Sequence, residues 1–592
     1  MHLDKKPALV KRERRRAARL PRFIAYDLET DPIRAGSPRP LYLTAYGDGF
    51  QVERRIRSMS ELHDVLVHHL LIEATQGARF VAWNGNRFDA YFIAAALVRD
   101  PRYRLRPMLT RSRELRALEV RRAENAEKVR DSSAWVFVDG MAQLGIDCTL
   151  AELLDAFAPE LPKLPAPDWS KGFDGSNPDH RAYAMRDSEG LWHAMQAAQA
   201  IVSRAFGEPL GITIGGTGIR VFQAELPERV VIKPLEDEAE PVVREFLVRG
   251  GYVFCRGKFD GPAWKYDLNQ AYAGAMRDCR LPCGSMLWDK YGPEDTSGAY
   301  MVRVAAHKPG NTVPFYCKRR DELGRVRATY ARSVIEDSWI TSDEHRQLIA
   351  EGWSVECLEH WAFARTFTMR AFVDKCERLR REAPGGPSGP TGLMIKAIGN
   401  TAYGKTGESP DGIEWCLAAE RPEGWLDWYE GEDADPIEHV FWRPSEPRPK
   451  PHQQPQLAAW ITAHVRMQVR RAALVAPEAW LYADTDCVIF SRDVTGLLDV
   501  HPTRYGAWKV ESAGERHRII LPKVYQGPKG IRARGMDAYQ LTGEHFERWM
   551  AGEAPRQTQM QLRNFLDVMR GAEMYRAVTR RGSAIQPEEE TV

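Results

Sequence analysis

The chain is expected to fold as several α/β and α+β domains rather than around one core. Three observations lead there. Its 592 residues exceed the ~250–300 that one hydrophobic core supports. Short β-branched and aromatic runs alternate with helical periodicity over the first 200 residues, and two segments rich in proline, glycine or acid interrupt the later pattern. The 43% hydrophobic and 28% charged residues exclude a disordered or fibrous chain, and no repeat of solenoid period occurs.

In chain order, Lys5, Lys6, Lys11, Arg12, Arg14, Arg15, Arg16, Arg19 and Arg22 make a basic start. Residues 1–20 are expected to be a solvated tail, with phosphate contact as the alternative. Residues 22–28, 79–83 and 134–139 read as strands near turn residues. Leu191, Met195, Ala198, Val202 and Ala205 recur at helical spacing within 189–206. Residues 384–392 and 429–455 read as loops outside any core. A helix carrying Leu457, Ile461, Val465 and Val469 follows, then a strand at 480–490, and 586–592 read as a frayed acidic tail.

The net charge of only +2 means that nucleic-acid binding must rest on a local groove. No stretch nears the ~20 apolar residues that span a bilayer, so a soluble chain is expected; a cytoplasmic location and a monomeric state are separate expectations. Nine cysteines lack paired CxxC sets, which fits a reducing compartment; Cys279 and Cys283 read as two buried thiols.

Chemistry concentrates in two groups of acids. In FIAYDLET, Asp27 and Glu29 lie two apart on a predicted strand and point to one face. WNGNRFDAYF adds Asp89, and YAMRDSEG adds Asp187. Four carboxylates around two divalent ions about 3.5–4 Å apart would clamp a phosphodiester for in-line hydrolysis. Tyr183, one helical turn before Asp187, is placed to orient the attacking water.

The second group lies downstream. Asp267 ends a predicted strand in KYDLNQAYAGAM, and Asp484 and Asp486 stand two apart on another in LYADTDCVIF. Aspartates inside an apolar strand are costly unless cations or hydrogen bonds compensate, which argues for a metal site. Between them, KAIGNTAYG spaces Lys396, Asn400 and Tyr403 near one helical face, where a lysine can meet a triphosphate.

The first three segments resemble the exonuclease motifs of family B DNA polymerases, and the second three resemble polymerase motifs A, B and C, all in family order. The resemblance covers roughly residues 20–540. It implies a ribonuclease H-like 3′→5′ exonuclease domain at 21–205 and a connector at 206–255. Palm and fingers would follow at 256–522, with insertions at about 285–375 and 406–455, and then a thumb and tail at 523–592. It further implies that Asp27, Glu29, Asp89 and Asp187 bind metal, that Thr30, Asn84 and Phe88 hold a single-stranded 3′ end, and that Lys163 assists. In the polymerase half, Asp267 and Asp484 would carry catalytic metals with Asp486 in support. Arg380 and Lys396 would neutralise the triphosphate beside Asn400, Tyr272 would exclude a 2′-hydroxyl, and Tyr403 would pack on the nascent base pair. Two Mg2+ ions per site are implied, with Mn2+ an alternative.

LVRGGYVFCRG before motif A and PKVYQ after motif C resemble the protein-primed branch, and ITIGGTGI at 212–219 looks like its tectivirus-type bacteriophage members. By that resemblance Arg249, Gly250 and Gly251 would contact template, and Lys523 and Tyr525 would lie near the primer terminus. The partners implied are template and primer DNA, deoxynucleoside triphosphates and a terminal protein, in a host bacterial cytoplasm if the chain is phage-encoded. Departures are Val248 for the usual aromatic, DLNQAY in motif A, Thr401 in motif B and Cys487 in motif C. The alternatives are a family B enzyme that extends ordinary primers and an exonuclease with a silent polymerase half.

Overall fold

The computed structural model describes residues 8–11, 20–32, 36–110, 112–127, 133–168, 172–409, 412–429, 437–445 and 450–582. Of the basic start only Lys11 and Arg22 fall among these; Lys5, Lys6, Arg12, Arg14, Arg15, Arg16 and Arg19, and the acidic end 586–592, lie outside them.

The apolar run at Phe23 makes the strand Phe23–Thr30. It pairs in parallel with Arg79–Ala82, which pairs in parallel with Trp135–Asp139, and antiparallel with Pro40–Gly47. Such strands need cover on both faces. One cover is the helix Pro178–Phe206, whose start is capped by the Asn177 side chain and whose end is Gly207 at φ +71°, a conformation glycine adopts without strain. The helix sets Tyr183 and Asp187 against the strand that carries Asp27 and Glu29.

The second insertion corrects the sequence reading. Val440–Pro444, inside the segment assigned as loop, is a strand with Val440 and Phe441 buried. It pairs with Ile413–Leu417, whose Leu417 pairs with Leu105, so this insertion extends the first domain's sheet to ten strands among the described residues. Surrounding acid and proline hide three apolar residues, Val440 to Trp442, that become a strand once an edge is offered to them. The tail reading is corrected too. Leu9–Val10 pairs with Val231–Ile232 and Leu9 is fully buried, so part of 1–20 is anchored.

A seven-stranded sheet, counted over the described residues, carries the downstream acids; its order is Tyr252–Cys255, Trp480–Thr485, Cys487–Phe490, Phe259–Leu268, Trp508–Leu521, Val524–Gly527 and Gly530–Ala533. Two of these strands, Val524–Gly527 and Gly530–Ala533, lie within the segment 523–592 that the resemblance assigns to a thumb and tail. The helix Pro455–Val475 buries Trp460, whose ring meets Phe363 edge-on at 5.4 Å.

The first insertion builds most of a further sheet from Leu281–Asp289, Tyr300–His307, Val334–Thr341 and Ser354–Phe367. At the C-terminal end, Phe565 meets Tyr91 edge-on at 5.1 Å and the Tyr91 hydroxyl donates to the Arg563 carbonyl at 3.2 Å. That segment therefore rests on the first domain. All nine cysteines are free, with Cys279 and Cys283 buried. No helix among the described residues is long and apolar enough to cross a membrane.

Candidate functional site

The first acid group assembles as one centre. Burial pushes the Asp27 carboxyl up to about 7, with Asp187 the next cause. It pushes Glu29 up to about 9, with Asp27, Asp187 and Asp89 adding to it. Asp89 is raised well above its ordinary range by burial and by Asp27, and Asp187 is raised by burial. The four carboxylates thus repel one another across a shared space.

Lys163 joins them. Its ammonium lies 2.8 Å from Asp187 Oδ2 and 5.0 Å from the centre of the Tyr183 ring. Burial works against that charge, but Asp187 outweighs it and the pKa is raised. Asn84 stands at φ +64° at the head of a short turn, and Phe88 meets Phe92 edge-on at 5.3 Å while keeping part of its ring exposed. The Thr30 hydroxyl donates to the Asp31 carbonyl at 2.9 Å.

Sequence reasoning missed Asp139. Its carboxylate accepts from the backbone N–H of Asn86 at 3.3 Å and of Met141 at 2.8 Å. It therefore ties the Asn84–Phe88 loop to the sheet, and its charge also reaches Asp89. The only signal in the sequence was an acid ending a strand before a helix, an ordinary N-cap.

These residues fit hard divalent cations. Asp89 Oδ1 and Asp187 Oδ1 are buried without a hydrogen-bond partner among the described residues, and an all-oxygen donor set suits Mg2+ or Mn2+. The folded chain holds the Asp27 and Glu29 protons more tightly than an unfolded chain, where these groups titrate near 3.8 and 4.5. The stability they contribute is present below those values and is lost as pH rises through 7 and then 9. With a chelator present, the melting temperature is expected to fall between about pH 5 and 9. At pH 8 Mg2+ restores it, and Asp27→Asn flattens the slope. Differential scanning fluorimetry checks this, and a melting temperature in chelator that ignores pH contradicts it.

The second group departs from its predicted geometry. Trp480–Thr485 and Cys487–Phe490 are two strands of a hairpin, not one strand. Thr485, at φ +63°, and Asp486 form the tip, where the Asp486 N–H donates to the Asp484 carbonyl at 2.7 Å. Asp484 and Asp486 therefore do not share a strand face. They converge because the hairpin lies beside Phe259–Leu268, with Asp267 paired to Cys487. Burial, then Asp267 and Asp484, push the Asp486 carboxyl up to about 6. Burial also raises Asp267, against the pull of Lys509.

Two lysines balance these acids. Lys523 Nζ lies 2.7 Å from Asp484 Oδ1, and Lys509 Nζ lies 2.9 Å from Asp267 Oδ2. Lys509 was missed by the sequence reading, since only the register Asp267↔Lys509 brings it in. Tyr525 packs near Tyr482, with Lys265 Nζ 5.4 Å from its ring centre.

The helix Pro390–Thr406 presents Lys396, Asn400 and Tyr403. Burial, Arg380 and Lys509 lower the Lys396 pKa, and Asp267 and Asp486 pull it back up, so this ammonium lies among the acids and the other cations. Tyr272 and Tyr403 stack with ring centres 4.6 Å apart. Gly218, within ITIGGTGI, lets the neighbouring helix approach: a Cβ there would fall 2.7 Å from the Ile398 carbonyl oxygen. Arg380 is turned inward, donating to Tyr505 Oη at 2.9 Å and to the Pro387 and Gly392 carbonyls at 3.0 and 3.2 Å.

Arg249 is corrected. Its guanidinium is fully buried and paired with Glu344 at 2.6 Å, so it cannot contact template. A basic residue beside two glycines suggests an exposed loop, but its charge here meets an acid from the first insertion. Gly251 keeps its backbone beside the hairpin tip, where a Cβ would fall 2.7 Å from Thr485 Cα, and the Gly250 carbonyl accepts from Arg466. Cys279 lies by Asp343 and His464, where Asp343 is already paired with His464 at 2.9 Å and with Arg346.

Residues 180–427 match the family model described as DNA polymerase type B, organellar and viral. Among curated proteins none matches in sequence. Among solved structures, phi29 DNA polymerase complexed with primer-template DNA and incoming nucleotide substrates is 17% identical, with 96% of this chain and 100% of that chain covered at a TM-score of 0.70. Phi29 DNA polymerase complexed with single-stranded DNA is 16% identical, with 95% and 100% covered at a TM-score of 0.68. The resemblance to family B DNA polymerases read from the motifs is borne out, and the multidomain fold is that of the phi29 enzyme.

Proposed function

We propose that this chain, which resembles the family B DNA polymerases, is a DNA-directed DNA polymerase with its own 3′→5′ exonuclease. One observation carries the reading: two separate carboxylate centres, each with cationic and aromatic neighbours suited to a different half of the chemistry. Asp267, Asp484 and Asp486 face Lys396 on a helix that also holds Tyr403. Asp27, Glu29, Asp89 and Asp187 face Lys163 and Tyr183.

In the polymerase centre, Asp267 and Asp484, with Asp486, would hold Mg2+ or Mn2+. Lys396 neutralises the triphosphate, Asn400 lies beside it, and Lys523 and Tyr525 flank the primer end. In the exonuclease centre, the four acids would hold a metal pair, Tyr183 and Lys163 orient water, and Thr30, Asn84 and Phe88 hold the strand, with Phe88 stacking on a base. Bound ions would activate the attacking oxygen and stabilise the leaving one. Arg380 acts through its hold on the 387–392 loop and Tyr505.

The finer reading is a protein-primed enzyme working as a monomer in the cytoplasm of a bacterial host. The two long segments between the motifs and the Gly251 backbone beside the hairpin tip support it. Protein covalently attached at the 5′ ends of a linear genome encoding this chain is the expected finding; free ends or a circular genome would point to ordinary primers.

Single-nucleotide incorporation tests the main reading. The unaltered chain is expected to add only the nucleotide complementary to each template base, and incorporation blind to template would overturn it. Tyr272→Val removes the ring stacked on Tyr403 beneath the incoming sugar. Discrimination against ribonucleotides is expected to drop roughly 10- to 100-fold, as for other lost pocket contacts. An unchanged ratio of incorporation efficiencies would remove Tyr272 from the gate.

A further inference from the structure

Arg249, Glu344 and Arg466 have side chains with no solvent exposure. Arg249 Nη2 donates to both Glu344 oxygens, at 2.7 and 2.6 Å. Arg466 donates to Oε1 through Nη2 at 3.0 Å and Nε at 3.3 Å. The second Glu344 oxygen also accepts from the Thr341 N–H at 3.0 Å, fixing the start of the helix Ser342–Ala350. The three residues come from three parts of the chain: the connector, the first insertion and the helix Pro455–Val475.

Burying two guanidiniums with one carboxylate is costly, and a well-packed apolar trio serves stability at least as well. What the charged trio adds is direction. Arg466 Nη1 donates to the carbonyls of Arg249 and Gly250, each at 3.2 Å. The next residue presses on the catalytic hairpin: a Cβ on Gly251 would fall 2.7 Å from Thr485 Cα. Tyr252 and Val253 then pair with Thr485 and Asp484. The chain of contact runs from Glu344 through Arg466 and the 249–250 carbonyls to the tip that separates Asp484 from Asp486.

We propose that the buried Arg249–Glu344–Arg466 trio is a positioning device that seats the Asp484–Asp486 tip against Asp267 and couples it to the first insertion. Glu344 and Arg466 are positioning residues and touch no substrate. This rests on the polymerase reading above.

The test uses the full chain and three variants. Arg466→Lys keeps the charge but cannot span two carbonyls and a carboxylate. Glu344→Gln loses the charge that both guanidiniums share. Gly251→Ala leaves every buried ion pair in place and displaces the tip from the other side. Misplacement of reacting groups by about 1 Å can cost on the order of 10²-fold in rate. The maximal single-turnover incorporation rate is therefore expected to fall at least about tenfold in each variant. Nucleotide affinity and exonuclease rate on single-stranded DNA should stay within about twofold.

Incorporation rates near the unaltered chain's would overturn the inference. So would incorporation and exonuclease falling in parallel, since that is the mark of a general structural role. If Arg466→Lys and Glu344→Gln fail to fold, Gly251→Ala decides by the same criteria. An unaltered chain that extends no primer would instead overturn the polymerase reading itself, and this inference with it.

Discussion

Asp484→Asn is expected to lower templated primer extension on the order of 10³-fold while the exonuclease keeps its rate. Asp484 sits beside the hairpin tip, accepting from Lys523 at 2.7 Å and from the Thr485 hydroxyl at 3.0 Å. The amide is nearly the same size, so packing of the hairpin survives. What disappears is one negative charge among three, and with it the hold on a divalent cation. Metal stabilisation of developing charge is worth several kcal/mol, and each ~1.4 kcal/mol is tenfold in rate. Asp27 and Glu29 lie on a strand of a different sheet, and Asp89 and Asp187 on helices beside it, so that group is expected not to depend on this residue. Quench-flow incorporation beside a single-strand degradation assay separates the two. Equal loss of both activities would mean that the acid groups are not independent centres.

Asp89→Asn is expected to do the reverse, lowering 3′→5′ degradation on the order of 10³-fold by the same argument while leaving extension within about twofold. Asp89 opens the helix Asp89–Leu97, and its Oδ1 is buried without a hydrogen-bond partner among the described residues. Such an oxygen is costly to bury unless a cation takes it. The amide relieves the repulsion from Asp27 but offers a weaker ligand. Errors in copied DNA should rise accordingly, measured as mismatch retention in a gap-filling assay. Degradation near the unaltered rate would remove Asp89 from the centre.

Asp27, Glu29, Asp187 and Asp267 were legible as metal-ligand candidates because each sits in a local pattern of strand or helix that carries its own signal. FIAYDLET places Asp27 and Glu29 on one strand face, and the helix around Asp187 announces itself by its spacing. The hairpin at Asp484 was not legible. Its turn is two residues set in an apolar run, without the glycine or asparagine that usually marks one. Arg249 was misread because burial of a charge depends on a partner, and Glu344 lies 95 residues away.

Asp139 and Lys509 reach their centres through strand pairing, which fixes neighbours without any local motif. The same holds for the sheet. Leu417 pairs with Leu105 across more than 300 residues, so an insertion read as loop becomes an edge of the first domain. Docking of Phe565 on Tyr91 is likewise a property of the folded chain. Together these long-range contacts tie the C-terminal segment and the second insertion to the domain that holds Asp27, Glu29, Asp89 and Asp187.

The most direct measurement is a time course with a 5′-labelled primer annealed to a longer template in Mg2+, with and without the four deoxynucleoside triphosphates, resolved on one gel. Lengthening with nucleotides and shortening without them is the predicted result for two active centres in one chain. Shortening under both conditions would contradict the account, leaving a nuclease whose second acid group does not polymerise.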